Sequence, residues 1–160
     1  MDLEKLFQAC QITSNAHLHP QNVKREAEDY LMSFQKSPRP YELCFKILQF
    51  SNDENKSAFL QLHFLATSTL REALLREWSQ LEFNTIEQVS NFSFEILPNL
   101  DRVIQKQIVR LLSIVAKREQ AINNTTKILD RLYNVGLNEE FFKKMSFFFD
   151  TLLFTIYNLK

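Results

Sequence analysis

Residues 100–119 read LDRVIQKQIVRLLSIVAKRE and show the clearest repeat of apolar side chains in the chain. The apolar residues return every three or four positions, a spacing that brings side chains onto one face of an α-helix. They are Ile104, Ile108, Leu111, Leu112 and Val115. The other face carries Arg102, Lys106, Arg110, Ser113 and Lys117. This segment is predicted to be an amphipathic helix with one buried side and one polar side.

The same periodicity divides the rest of the chain into helical segments that come in pairs. Four pairs are predicted, near residues 3–36, 41–81, 85–119 and 121–159. Their starts are about 36 to 44 residues apart, a period typical of HEAT-type two-helix repeats. We therefore predict an all-α fold in which residues 1–160 form a single α-solenoid segment of about four HEAT-type pairs. A closed eight-helix bundle is the alternative.

Glycine and proline usage supports this fold class. The chain has one glycine, Gly136, and four prolines that all lie between helical stretches. Tight hairpins and glycine-rich phosphate loops depend on glycine at positive φ, so both are unexpected here. Within the third pair, Thr85 and Gln88 have the spacing of a capping box and predict the start of the fifth helix.

Reactive side chains do not form a recognisable catalytic or metal-binding motif in this sequence. Cys10 and Cys44 lie far apart inside helical patterns, which is typical of reduced core cysteines. His17 and His19 offer two metal ligands, but no third His or Cys is close in sequence. We therefore expect no enzyme activity, no catalytic residues, no cofactor and no metal site.

The last predicted helix contains a phenylalanine-rich stretch at residues 145–159. It is shorter than the roughly 20 apolar residues that span a bilayer, and Asp150 lies near its middle. A buried solenoid helix is the preferred interpretation, and a tail anchor in a membrane is the alternative. No membrane partner is expected on the preferred interpretation.

Three stretches resemble the N-terminal repeats of the importin-β superfamily of nuclear transport receptors, and most of all its exportins. Residues 24–37, KREAEDYLMSFQKS, are similar to the second helix of the first repeat in that family. Residues 64–78, FLATSTLREALLREW, are similar to the second helix of the next repeat, which closes on tryptophan. Residues 98–118 resemble the third such helix. The order and spacing of all three match the family.

The resemblance implies a function in nucleocytoplasmic protein transport. In this family the second helices of the first repeats line a concave face that binds GTP-loaded Ran. Protein cargo and nucleoporins would bind through repeats beyond this chain, and the receptor would shuttle between nucleus and cytoplasm. Carried onto this sequence, the partner-binding residues would be Arg25, Asp29, Ser68, Glu72, Arg102, Lys106 and Arg110.

The basic residues of the third stretch allow three interpretations. Arg102, Lys106, Arg110 and Lys117 are the polar side that any amphipathic helix needs, or a surface for a protein partner, or a nucleic-acid contact. Nucleic acid is not expected, because the chain balances 19 basic against 19 acidic residues. The alternative to a Ran-binding segment is a HEAT-repeat scaffold or truncated relative that does not bind Ran.

Overall fold

The computed structural model describes residues 1–50, 56–123 and 130. Within these residues the chain forms α-helices joined by loops and short 3-10 turns, and it contains no β-strand. The all-α prediction is confirmed for this part of the chain. The helices are α1 (Leu3–Ser14), α2 (Gln21–Gln35), α3 (Tyr41–Gln49), α4 (Lys56–Glu77), α5 (Phe83–Ile96) and α6 (Arg102–Asn123).

Local chemistry explains where several of these helices begin. The Asp2 carboxylate accepts a hydrogen bond from the Glu4 backbone N–H at 3.1 Å, at the start of α1. The Asp101 carboxylate accepts a hydrogen bond from the Val103 backbone N–H at 2.9 Å, at the start of α6. Such carboxylates satisfy N–H groups that have no partner inside the helix. Pro20 and Pro40 occupy the residue just before α2 and α3, where a missing N–H costs little.

The start of α5 and the end of α6 differ from the sequence prediction. Helix α5 starts at Phe83, and its N-cap residue, Glu82, makes no side-chain capping bond. The capping-box prediction for Thr85 is therefore wrong. Helix α6 continues to Asn123 instead of ending near residue 119, because no glycine or proline interrupts it there.

The predicted fourth pair, near residues 121–159, lies outside the described residues except for residues 121–123 and 130. The phenylalanine-rich stretch at residues 145–159 also lies outside them. Both expectations therefore stay predictions.

The first compact unit is Met1–Leu81, which contains α1 to α4. Helix α1 packs against α2 and α4, and α4 also packs against α2 and α3. Helices α2 and α4 run in the same direction, since the Arg76 guanidinium near the end of α4 donates to the carbonyl of Ser37, just past α2, at 2.9 Å. Fully buried side chains include Leu6, Phe34, Ile47, Leu62, Leu70 and Leu74.

One end of the α3–α4 hairpin is held by a polar junction, formed by Ser37, Arg39, Tyr41, Arg76 and Glu77. The Glu77 carboxylate accepts hydrogen bonds from the Tyr41 phenol at 2.9 Å and from the Arg39 backbone N–H at 3.2 Å. It also forms an ion pair with Arg76 at 2.8 Å. Arg39 has a φ of 45°, a left-handed conformation that is uncommon for a residue with a side chain. Glu77 therefore anchors a strained connection to the end of α4.

The other end of the hairpin is held by an aromatic junction, formed by Phe7, Phe50, Phe59 and His63. The Phe7 and Phe50 rings meet edge to face with centroids 5.8 Å apart, and Phe50 lies 6.3 Å from Phe59. The His63 ring lies 4.1 Å from Phe59, and its Nε2 is 3.2 Å from the carbonyl of Phe50. His63 is buried. Aromatic packing and hydrogen bonding of the His63 side chain to backbone carbonyls therefore stabilise this end.

The second compact unit is Glu82–Lys160, of which the structure describes α5, α6 and their connection. Helices α5 and α6 pack against each other, and the Gln105 side chain donates to the Leu97 carbonyl at 3.0 Å. The predicted apolar face of α6 is buried, which confirms the amphipathic interpretation. Ser113 is an exception to the predicted polar face, because it is buried and donates to the Val109 carbonyl at 2.8 Å.

Candidate partner-binding site

Three of the predicted partner-binding residues lie on one exposed side of α6. Arg102, Lys106 and Arg110 are all exposed and follow one another at intervals of four residues. That interval places them along one side of a helix. Lys117, further along the helix, is also exposed. The structure thus gives α6 a row of positive charge opposite its buried face.

The remaining predicted residues lie on α2 and α4, in the first unit. Arg25 and Asp29 are exposed and four residues apart on α2, and Glu72 is exposed on α4. Because α2 and α4 pack side by side in the same direction, these charges belong to adjacent helices. This part of the candidate site therefore mixes positive and negative groups.

Ser68 does not share the exposure of the other predicted residues. Its side chain is buried, and its hydroxyl donates to the Leu65 carbonyl one turn earlier at 2.9 Å. Serine often bonds to the backbone of its own helix in this way. Its hydroxyl is therefore occupied inside α4 and is not presented to a partner.

Three exposed apolar side chains lie on the same two helices, and sequence reasoning missed two of them, Phe64 and Leu75. Met32 on α2 is 49% exposed, and Phe64 and Leu75 on α4 are 44% and 42% exposed. Phe64 and Leu75 are eleven residues apart, which is close to three full turns, so they lie on one side of α4. That spacing is the sequence signal from which a shared exposed side of α4 could have been predicted. Exposed Met and Phe side chains are enriched at protein interfaces.

Other chemistry is limited in the described part of the chain. These residues contain no group of three or more His, Cys, Asp or Glu side chains that could hold a metal ion. Burial raises the pKa of the Cys10 thiol to about 12 and also raises that of Cys44. Neither buried thiol is therefore poised to form the reactive thiolate. None of the described helices is long and apolar enough to cross a membrane.

Two transport proteins are similar to most of this chain, and no protein-family model matches it. Exportin-4 of Dictyostelium discoideum is 25% identical over 113 residues, which are 67% of this chain and 9% of exportin-4. The mRNA transport regulator MTR10 of Saccharomyces cerevisiae is 30% identical over 117 residues, which are 73% of this chain and 11% of the regulator. The chain spans about a tenth of the length of these relatives.

These similarities agree with the resemblance read from the sequence. The described residues also have the paired helices that the resemblance implies. The chain is a relative of the importin-β superfamily of nuclear transport receptors.

Proposed function

We propose that this chain is a protein-binding segment of a nuclear transport receptor of the exportin class, and that it binds GTP-loaded Ran. The observation that carries the proposal is the similarity to exportin-4 over two thirds of the chain. The contacts would come from the second helix of each pair, α2, α4 and α6. Partner binding, and not catalysis, is the activity that we assign to these residues.

The exposed side chains of these helices suit a protein partner. On α6, Arg102, Lys106 and Arg110 would face acidic groups of Ran, and such charge complementarity mainly raises the association rate and sets specificity. On α2 and α4, the half-exposed Met32 and Phe64 offer apolar contacts beside charged neighbours. Interfaces commonly combine an apolar centre with a polar rim in this way.

The proposal extends to the receptor as a whole. Protein cargo and nucleoporins would bind through repeats beyond this chain, and the receptor would move between nucleus and cytoplasm. The names of the two similar proteins, an exportin and an mRNA transport regulator, support a role in transport. Nucleic acid and membrane are not assigned as direct partners of this chain.

Charge reversal on α6 tests the proposed Ran surface. The variant carries Lys106→Glu and Arg110→Glu, and its affinity for GTP-loaded Ran is measured at low and at physiological salt. We expect weaker binding, a slower association rate and a smaller salt dependence than in the original chain, because two steering charges have changed sign.

A matched control carries Lys5→Glu and Lys46→Glu. These exposed lysines lie on α1 and α3, the first helices of their pairs, so the net charge changes equally without altering the proposed face. The control should bind like the original chain. Equal losses in both variants would mean that net charge matters and that the α6 row does not.

The alternative is a helical-repeat scaffold that has no Ran site. It predicts no measurable affinity for Ran in either nucleotide state, with helix content unchanged in both variants.

A further inference from the structure

The polar junction contains a serine followed by proline. Ser37 and Pro38 form the one Ser-Pro or Thr-Pro pair in the whole sequence, and basic residues lie on both sides, at Lys36 and Arg39. A residue before proline is biased away from the helical region and toward extended conformations. Proline has no backbone N–H, and proline-directed protein kinases select a serine that this residue follows.

The location of Ser37 is suited to a modifying enzyme. It lies just past the end of α2 in the connection to α3, where Pro38 and Arg39 are exposed and Ser37 is half-buried. Its hydroxyl donates to the Phe34 carbonyl at 2.7 Å. The Ser37 backbone N–H donates to the same carbonyl at 3.0 Å. If phosphorylation removes the hydroxyl proton, the Phe34 carbonyl therefore still accepts from the Ser37 backbone N–H.

A cation is already in place beside Ser37. The Arg76 guanidinium donates to the Ser37 carbonyl at 2.9 Å and, from the same Nη2 atom, to the Glu77 carboxylate at 2.8 Å. A phosphate on Ser37 would carry close to two negative charges and three acceptor oxygens, and arginine binds such groups in preference to a single carboxylate oxygen.

We propose that Ser37 is a phosphorylation site for a proline-directed protein kinase, and that its phosphate draws Arg76 away from Glu77. In the transfer, the bond between the γ-phosphorus of Mg-ATP and its bridging oxygen breaks, and a bond forms from that phosphorus to Ser37 Oγ. The hydroxyl proton passes to the catalytic aspartate of the kinase, and ADP leaves.

The modification would weaken the anchor of the strained connection. Without Arg76, Glu77 loses its ion pair and faces a new anion across the junction. Repulsion by the phosphate would shift the Glu77 carboxylate away from the Arg39 N–H, and this weakens the hydrogen bond that holds the left-handed Arg39 in place. A phosphate at this position also lies at the negative end of the α2 dipole, which disfavours the last turn of α2. This inference does not depend on Ran binding.

The first part of the test asks whether the site is used. The folded chain is treated with an active cyclin-dependent kinase and Mg-ATP, and phosphate is located by peptide mass spectrometry. We expect one phosphate, on Ser37, and none in the Ser37→Ala or Pro38→Ala variants. Ser37→Thr keeps a hydroxyl and should still be modified. An unmodified folded chain, or equal labelling of Ser37→Ala, would overturn the site.

The second part asks whether the phosphate binds the Arg76 side chain and breaks its ion pair with Glu77. Hydrogen exchange of the Arg39 amide is compared with and without phosphate, in the original chain and in Arg76→Gln. We expect exchange to become faster by about two- to fivefold in the original chain, the factor for losing one partly exposed ion pair. In Arg76→Gln, the effect of phosphorylation should be smaller, because no ion pair is left to break and only the repulsion of Glu77 and the α2 dipole remain. Unchanged exchange, or equal effects in both chains, would overturn the proposed switch.

Discussion

The two ends of the α3–α4 hairpin are closed by different chemistry. The polar junction uses one carboxylate, Glu77, that accepts from a phenol, a backbone N–H and a guanidinium. The aromatic junction uses ring packing around Phe50 and buries His63. One end therefore depends on charge at a partly exposed site, and the other depends on burial.

The difference determines what each end responds to. Partial burial alone would raise the pKa of the Glu77 carboxyl. The hydrogen bonds from Arg76, Tyr41 and the Arg39 backbone outweigh burial and hold that pKa below its ordinary value. At the aromatic end, burial lowers the pKa of His63, although hydrogen bonds to the carbonyls of Phe50 and Ile47 oppose the shift. Added anions should therefore act on the polar end, and mild acid on the aromatic end.

The largest expected effect is the loss of packing at the aromatic end. Ile47 is fully buried one turn before Phe50, so Ile47→Ala leaves a cavity and should lower the free energy of unfolding by about 2–5 kcal/mol. Urea unfolding followed by circular dichroism measures this loss. Lys46→Ala, at the exposed neighbouring position, is the control and should change stability by less than about 0.5 kcal/mol. A comparable loss in the control would contradict the assignment of this end to burial.

A smaller loss is expected at the polar end. Glu77→Ala removes the acceptor of the buried Tyr41 phenol, and an unpaired buried polar group costs about 1–3 kcal/mol. Glu77→Gln keeps one oxygen that can accept from Tyr41 but loses the charge and the second accepting oxygen, so it should cost less than Glu77→Ala. The two variants are compared by urea unfolding. If both variants cost the same, the acceptor for the Tyr41 phenol is not the main contribution of Glu77.

Acid should act on the aromatic end with the smallest effect of the three. Because its pKa is lowered, His63 stays neutral in the folded chain to a lower pH than in the unfolded chain. Its stabilising contribution is therefore complete above the ordinary pKa of 6.5 and is lost progressively as the pH falls below that value. We expect the urea midpoint to decrease between about pH 7 and about pH 5.5, and His63→Gln to flatten this slope.

The control for the acid effect is His17→Gln, which removes an exposed histidine. It should keep the slope of the original chain. A slope that survives His63→Gln would assign the acid sensitivity to other groups.

The helices were largely predictable because periodicity is a local signal. The spacing of apolar residues every three or four positions identified the buried face of α6 correctly, including Ile104, Ile108 and Leu112. Boundaries were less secure where capping chemistry had more than one solution, as at Glu82 and Thr85. The fourth predicted pair lies outside the described residues and stays a prediction.

The candidate site was predictable only in part. Exposed charges such as Arg25 and Lys106 follow from the polar side of an amphipathic pattern. Helix α4 is apolar around most of its circumference, and its narrow polar strip predicted the exposure of Glu72 correctly but that of Ser68 wrongly. The structure buries Ser68 and exposes Phe64 instead. The polar junction was also hidden from sequence reasoning, because Arg39 and Glu77 are 38 residues apart.

Nucleotide discrimination is the most direct test of the central claim that this chain binds GTP-loaded Ran. The affinity of the 160-residue chain is measured by calorimetry for Ran loaded with a non-hydrolysable GTP analogue and for Ran loaded with GDP. Binding of the GTP form should be tighter by at least about tenfold, or about 1.4 kcal/mol. Equal affinity for both forms, or no binding to either, would contradict it.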